Sequence, residues 1–226
     1  MSKNYLPYLS ELSQNNHKGW MDANRDWYQD VRSEFLKDVE FLLKEICAFE
    51  PEMASLQPKD CVFRQNRDIR FSNNKDPYKT NLAAYFSIGG KKSNGPGYYL
   101  HIQPGASFLA GGIWMPPADV LKKIRQEIDY SGNQLEEILS NKALKKHFSG
   151  LEGEQLKTTP KGYEADHPYL RYLKFKSFIL SCHISDEDIH SGKFREMAVE
   201  RFRLLKPFHG FLHQALDDAE SGEGIL

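Results

Sequence analysis

The first fifty residues place apolar side chains at the spacing of α-helices. Leu6, Leu9 and Leu12 recur every three positions, which predicts a short N-terminal helix. A longer apolar stripe runs from Trp27 to Ile46 and predicts a second helix with one buried face. The chain therefore begins with helical structure.

Further along, the apolar spacing changes to the period of two that is typical of strands. This pattern predicts strands at Cys61–Phe63, Arg70–Phe71 and Leu82–Ile88. The clearest β-hairpin pairs Tyr98–Gln103 with Ser107–Met115 across a short turn that contains glycine.

Strand alternation sorts the side chains of that hairpin onto two faces. Tyr99, His101 and Gln103 share one face of the first strand, and their apolar neighbours lie on the other. Gly111 and Gly112, inside the second strand, predict a bulge or the close approach of another group.

The C-terminal half returns to helical spacing. A helix is expected to start at Pro116 and end at Gly132, and Ser177–His183 predicts one more strand. A last helix is expected over Lys193–Asp217, broken or bent at Pro207. Because helices flank a block of hairpin-linked strands, we expect an α+β fold with a largely antiparallel sheet built from that central block.

Length and composition favour one domain. The chain has 226 residues, of which 40% are hydrophobic, and this is enough for a packed core. No linker, low-complexity run or internal repeat divides it. We therefore predict a single compact domain over residues 1–226, with frayed tails at 1–5 and 218–226.

Charge is unevenly distributed although the net charge is only −1. Between Lys59 and Lys92 there are eight Lys or Arg against three Asp, a local charge of +5 that leaves −6 for the remainder. The net charge of the whole chain does not favour nucleic acid as a partner, but the local excess of positive charge favours the binding of an anion.

The three cysteines, Cys47, Cys61 and Cys182, are an odd number without CxxC spacing. They fit reduced thiols better than a disulfide framework, so we expect a cytoplasmic protein. No signal-peptide core and no apolar run of about 20 residues is present, so we expect no membrane partner.

The densest chemistry lies in Arg64–Asn81, where Arg, Lys and Asn accumulate around a Pro-stiffened turn. Guanidinium groups bind carboxylate or phosphate in a bidentate manner, so the leading hypothesis is a basic, polar pocket for a small anionic molecule. In that hypothesis Arg67, Arg70, Lys75 and Lys79 bind the anion, and Tyr78, Asn81 and His101 orient it. The candidate ligand-binding residues are Arg64, Arg67, Asp68, Arg70, Ser72, Lys75, Tyr78, Lys79, Asn81 and His101.

Catalysis has little support from motifs. Ser72 and Lys75 match the S-x-x-K spacing of penicillin-recognising enzymes, but the two companion motifs are missing. The histidine spacings fit no metal-ligand set, and no cofactor can be named. If the protein is an enzyme, His101 is the candidate acid/base, because its ordinary pKa lies near neutral pH.

Two other hypotheses stay open. The basic 59–92 segment, with Phe71, Tyr78 and the Lys91-Lys92 loop, is also suited to a nucleic-acid- or protein-binding module. In the third, the charges pair within the protein, for example Asp68 with neighbouring arginines, and the domain is structural and has no ligand.

Several motifs in a fixed order resemble one known family. They are Arg-Asp-Ile-Arg-Phe-Ser (67–72) with Lys75, Pro-Tyr-Lys (77–79), Gly-Tyr-Tyr-Leu-His-Ile-Gln-Pro-Gly (97–105), Gly-Gly-Ile-Trp-Met-Pro (111–116) and Pro-Lys-Gly-Tyr (160–163). The chain resembles the domain of unknown function 2461 family from about Leu6 to Ala215. This resemblance implies a single compact domain and brings no activity, cofactor or catalytic residue.

Overall fold

The computed structural model describes residues 5–217. Its first helices are α1 (Tyr5–Gln14), α2 (Lys18–Ala23), α3 (Arg25–Cys47) and α4 (Pro58–Cys61), with a 3-10 turn at Pro51–Met53. The strands are β1 (Leu82–Ser87), β2 (Gly97–Ile102), β3 (Ser107–Ile113) and β4 (Phe178–Ile184), with a 3-10 turn at Gly90–Lys92. The later helices are α5 (Ala118–Ser140), α6 (Lys142–Lys145), α7 (Leu170–Leu173), α8 (Asp186–His190) and α9 (Phe194–Asp217).

The four strands form one antiparallel sheet in the order β1-β2-β3-β4. The predicted α+β class, with a hairpin block between N-terminal and C-terminal helices, is confirmed. In β2, Tyr98 and Leu100 are fully buried whereas Tyr99 and His101 are half-buried, as strand alternation predicts. One face of β2 is therefore only partly covered.

The contacts of the chain group into two compact units. The first comprises residues 5–91, 99–109 and 183–200, and the second comprises 92–98, 110–182 and 201–217. The single-domain organisation stays a prediction. Of the tails expected to fray, 1–4 and 218–226 lie outside the described residues, whereas Tyr5 begins α1 and is fully buried.

In the first unit, a charged residue lies inside the core. Asp38 of α3 is fully buried, accepts a hydrogen bond from the Tyr5 hydroxyl and forms an ion pair with Arg195. Burial, followed by the charge of Asp38, raises the pKa of Tyr5, so this hydroxyl stays protonated and donates. The pairing satisfies a carboxylate that would otherwise be costly to bury. The apolar stripe of α3 is buried at Val31, Phe35, Val39, Leu42, Leu43 and Ile46.

In the second unit, the predicted close approach at the paired glycines is confirmed. A Cβ on Gly111 would lie 2.6 Å from Leu205 and 2.7 Å from Nε2 of His209, so only glycine fits there. The His209 ring also packs on Tyr98, with ring centroids 4.2 Å apart. Glycine thus lets α9 lie directly against the backbone of β3.

The helix end predicted at Gly132 lies one residue from a kink. Two helical stretches meet inside α5 at Ser131 (φ −120°, ψ 29°), and the second continues to Ser140. A Cβ on Gly132 would lie 2.2 Å from the Tyr169 ring, so this glycine makes room for an aromatic side chain beside the kink. Helix α9 runs through Pro207 without a break, and the alternative of a bend there stays a prediction.

The strand predicted at Cys61–Phe63 is wrong as well. Pro58 occupies the first turn of α4, a position that suits a residue without an N–H, and this helix extends to Cys61. Only Val62 then makes an isolated antiparallel bridge, to Ala84.

Within residues 5–217, no helix combines the length and the apolar character that crossing a bilayer requires.

Candidate functional site

Residues 62–84 fold back on themselves as an irregular antiparallel ribbon in the first unit. The Phe63 N–H donates to the Ala83 carbonyl at 3.0 Å, and the Lys79 N–H donates to the Gln65 carbonyl at 2.8 Å. These bonds hold the two arms together. The arms are joined by residues 68–76, here called the tip loop.

The tip loop contains a turn where a strand was predicted at Arg70–Phe71, so that prediction is wrong. The Ser72 N–H donates to the Ile69 carbonyl at 3.3 Å, which closes the turn. The Asp68 carboxylate accepts from the Arg70 N–H, also at 3.3 Å. A short acidic side chain thus binds the backbone locally and competes with strand pairing.

Two cations at the tip loop bind its own oxygen atoms. The guanidinium of Arg67 donates to the Asp76 carbonyl at 3.0 Å and to the Ser72 hydroxyl at 3.3 Å. The ammonium of Lys75 donates to the Ile69 carbonyl at 3.1 Å. These side chains therefore hold the loop in shape.

Arg70 and Phe71 form the apex of the tip loop. Arg70 donates to both oxygens of Asp68, at 2.9 and 2.7 Å, and this hydrogen bonding lowers the pKa of Asp68. The guanidinium also lies 5.9 Å from the centroid of the Phe71 ring, which is 95% exposed. The apex is thus a solvated ion pair beside a bare aromatic ring.

Tyr78 is held by the helical part of the first unit. Asn16, which follows α1, accepts from the Tyr78 N–H at 3.1 Å and donates to its carbonyl at 3.0 Å. This two-way clamp fixes the backbone just before Lys79.

The partly covered face of β2 carries a hydrogen-bonded group that we call the His101 cluster. His101 lies 3.1 Å from the Tyr99 hydroxyl through Nδ1 and 3.0 Å from the Gln103 amide oxygen through Nε2. The Asn81 amide nitrogen lies 3.5 Å from the same Nδ1. Phe108 of β3 stacks on the imidazole with 4.7 Å between ring centroids and 17° between planes.

These contacts define the state of the His101 ring. An amide oxygen only accepts, so Nε2 carries the hydrogen that bonds Gln103, and Nδ1 has the lone pair that accepts from the Tyr99 hydroxyl. Burial lowers the pKa of His101, and the hydrogen bond to Gln103 opposes this only in part. His101 is therefore a neutral imidazole at pH 7.

Three cations converge next to this face, and we call Arg64, Lys79 and Lys91 the cation cluster. The ammonium groups of Lys79 and Lys91 lie 5.2 and 5.6 Å from the centroid of the Phe63 ring. Burial, then the charges of Arg64 and Lys91, lowers the pKa of Lys79. Like charges thus act on one another here.

Sequence order links the cation cluster to the His101 cluster. Lys79 and Asn81 are two positions apart in a non-helical segment, which separates them by about 7 Å along the chain. Gln65 is 5% exposed, and its side-chain amide donates to the Lys79 carbonyl. Together with the backbone bond to Gln65, this contact fixes where Lys79 lies.

The predicted site residues therefore fall into two groups. Asn81 lies beside His101, Lys79 is two positions before Asn81 in the chain, and Arg64 acts electrostatically on both Lys79 and Asp68. The tip loop or its base holds Arg67, Asp68, Arg70, Ser72 and Lys75, and Tyr78 is held by the Asn16 clamp.

Six neighbours of the site were not predicted as site residues from the sequence: Phe63, Gln65, Lys91, Tyr99, Gln103 and Phe108. Strand alternation could have added Tyr99, because it shares a strand face with His101. The position of Lys91 depends on a contact with the Val62 carbonyl, 2.6 Å from its ammonium, which local sequence does not reveal.

In the second unit, a His–Asp pair is fully engaged. His167 bonds Asp129 through Nε2 at 2.9 Å, and its Nδ1 accepts from the Tyr169 N–H at 3.1 Å. Both ring nitrogens of this histidine are thus hydrogen-bonded within the second unit. Across residues 5–217, no group of three His, Cys, Asp or Glu side chains is arranged to hold a metal ion.

Comparison with known proteins identifies the family of the chain but gives no function. No curated protein and no solved structure matches the chain. The family model described as "Conserved hypothetical protein (DUF2461)" matches residues 4–211, and the chain therefore belongs to this family.

Proposed function

We propose that the first unit binds a small anionic molecule that carries a phosphate or carboxylate group. The cation cluster receives the anion, and Asn81 and His101 hold a polar part of the same molecule. The tip-loop residues are expected to add only long-range attraction, because their side chains already bind the loop or its own acid.

The observation that carries the proposal is the convergence of like charges without an acidic partner. No carboxylate within residues 5–217 forms an ion pair with Arg64, Lys79 or Lys91. Lys79 is half-buried, and its pKa is lowered first by this burial and then by the charges of Arg64 and Lys91. A bound anion would relieve the repulsion among these charges, so the cluster is prepared for a negative charge.

The His101 cluster adds hydrogen-bonding groups that suit a neutral polar function. His101 is neutral, and Tyr99 and Gln103 hold its ring in one orientation. The ligand would therefore carry a neutral polar group beside its anion. Small phosphorylated or carboxylated metabolites have this form.

A catalytic role for His101 is the second part of the proposal. Its Nδ1 is the only ring position with a lone pair, so this atom would accept a proton from the ligand once the Tyr99 hydroxyl turns aside. In that case Tyr99 and Gln103 are positioning residues. No reaction follows from these residues alone.

The test is saturable stabilisation by inorganic phosphate. At about ten times the dissociation constant, phosphate should raise the free energy of unfolding by about 1.4 kcal/mol, which corresponds to a rise in Tm of about 3–6 °C. Sodium chloride at matched ionic strength serves as the reference. Lys79→Gln should lose the response, and Lys37→Gln, which removes an exposed charge from α3, should keep it.

Two outcomes would count against the proposal. One is an equal response to phosphate and to sodium chloride at matched ionic strength, since this indicates general screening. The other is an unchanged phosphate response in Lys79→Gln. A cytoplasmic location stays part of the proposal and is supported by the free thiols of Cys47, Cys61 and Cys182.

A further inference from the structure

The tip loop presents an aromatic ring that contributes little to the fold. Phe71 is 95% exposed, whereas most large apolar side chains of the first unit are buried. A single exposed apolar side chain is common on protein surfaces, so the groups around this ring carry the inference. Because it lies in a turn apex, the ring can reach a partner without rearrangement of the fold.

The loop that carries this ring is tied down at several points. Arg67 binds the Asp76 carbonyl, Lys75 binds the Ile69 carbonyl, and the turn itself is closed by the Ser72 N–H. These bonds fix the loop before any partner arrives. A pre-organised loop loses less conformational entropy on binding than a flexible one.

Within the tip loop Arg70 and Lys75 balance Asp68 and Asp76, and the positive excess near the ring comes from Arg64 and Arg67, which precede the loop. The Arg70 guanidinium lies 5.9 Å from the Phe71 centroid, and its side chain is 76% exposed. Arg64 and Lys75 are exposed as well. The 59–92 segment carries a local charge of +5, so its complement is a polyanion.

We propose that the tip loop binds single-stranded nucleic acid, with one base stacked on Phe71 and adjoining phosphates at Arg64 and at Nη1 of Arg70, the guanidinium nitrogen that Asp68 does not bind. Single strands leave base faces open, and stacking on an aromatic side chain tolerates any base. Because the remainder of the chain is acidic, we expect nucleic acid to contact the protein at this loop only. The affinity is therefore modest and falls with salt.

An anionic membrane fits the loop less well. Apart from Phe71 and the half-buried Ile69, the tip loop consists of polar and charged residues. One aromatic ring gives too little apolar burial for stable attachment, since even a whole acyl chain binds membranes only marginally. A single ring with flanking cations is instead the composition of a base-stacking site.

The test is fluorescence anisotropy with a labelled single-stranded oligothymidylate. Phe71→Ala should weaken binding by about tenfold or more, because it removes the stacking surface. Tyr130→Ala is the matched control: Tyr130 is 88% exposed on α5, and its loss should leave the affinity unchanged. Arg70→Gln should reduce the slope of log affinity against log salt by about 0.7.

An abasic strand of equal length separates stacking from charge. The wild-type protein should bind it as weakly as Phe71→Ala binds the intact strand. The inference is overturned if the wild-type protein does not bind the oligothymidylate or if Phe71→Ala binds as well as wild type. It is also overturned if the abasic strand binds equally, or if only vesicles with anionic lipid are bound in a Phe71-dependent way. The phosphate response of Lys79 does not depend on Phe71, so the two proposals fail separately.

Discussion

The tip loop and the His101 cluster belong to the same unit, but the charged groups of the tip loop are solvated whereas the His101 ring is half-buried. In the tip loop, Arg67 and Lys75 hold backbone carbonyls and Arg70 faces solvent with its own acid. In the His101 cluster, the imidazole is half-buried and Lys79 stands nearby among like charges. The comparison shows that a high density of charge identifies the Arg64–Asn81 segment, whereas cations without a carboxylate partner among residues 5–217 identify the proposed site.

The largest expected effect is the difference in stability between a variant that loses the buried ion pair and one that loses the solvated ion pair of the tip loop. Arg195→Leu removes one ion-pair partner of the fully buried Asp38 and should destabilise the protein by about 3–5 kcal/mol. Arg70→Leu removes the partner of Asp68 and should give no resolvable change, because that pair is solvated. Urea unfolding of both variants measures the contrast. Equal losses would show that the tip loop is structurally as important as the core.

Acid sensitivity gives the next effect, and histidine titration contributes to it at a higher pH than the tip loop, whose Asp68 has a pKa lowered by Arg70. Burial, then the charge of His213, lowers the pKa of His209 from 6.5 to about 3. Between these values the unfolded chain binds the proton and the folded chain does not. The free energy of unfolding should therefore fall as the pH drops below about 6.5, by up to about 1.4 kcal/mol per pH unit.

Substitution tests this assignment. His209→Gln should flatten the acid limb of the stability curve, and His101→Gln should flatten it less, since the pKa of His101 is lowered by a smaller shift. Urea unfolding at a series of pH values provides the measurement. An acid limb unchanged in His209→Gln would contradict the assignment.

A smaller effect is expected at the residue that positions Lys79. Gln65 is nearly buried and bonds both backbone groups of Lys79. Gln65→Leu should cost about 1–2 kcal/mol of stability, because the Lys79 carbonyl loses its side-chain donor. The same variant should weaken the phosphate response. Loss of stability with a full phosphate response would show that the position of Lys79 is not important for binding.

The fold was accessible from sequence wherever side-chain periodicity was strong. The stripe of α3 and the β2–β3 hairpin follow from helical spacing and strand alternation. The errors arose where one local contact prevailed over the pattern. Asp68 binds the backbone at Arg70 and makes a turn, and Pro58 starts a short helix that extends to Cys61, where a strand was predicted.

The candidate site was accessible only in part. Sequence located His101 on a face with Tyr99 and Gln103, and it located the charge in Arg64–Asn81. It could not separate Lys79 from the tip-loop cations, because the difference lies in which oxygen atoms each side chain reaches. Lys91 joins the cluster only through folding of the chain.

The central claim is that the anion site lies at Lys79 and His101, and the pKa of His101 tests it most directly. Ring nitrogen chemical shifts of His101, followed by NMR across pH, should show a neutral Nε2–H form and a pKa below 6.5 without phosphate. Inorganic phosphate should raise that pKa in the wild-type protein, because a nearby anion stabilises the imidazolium, and should not raise it in Lys79→Gln. A pKa that phosphate leaves unchanged, with chemical shifts confined to the tip loop, would contradict the claim.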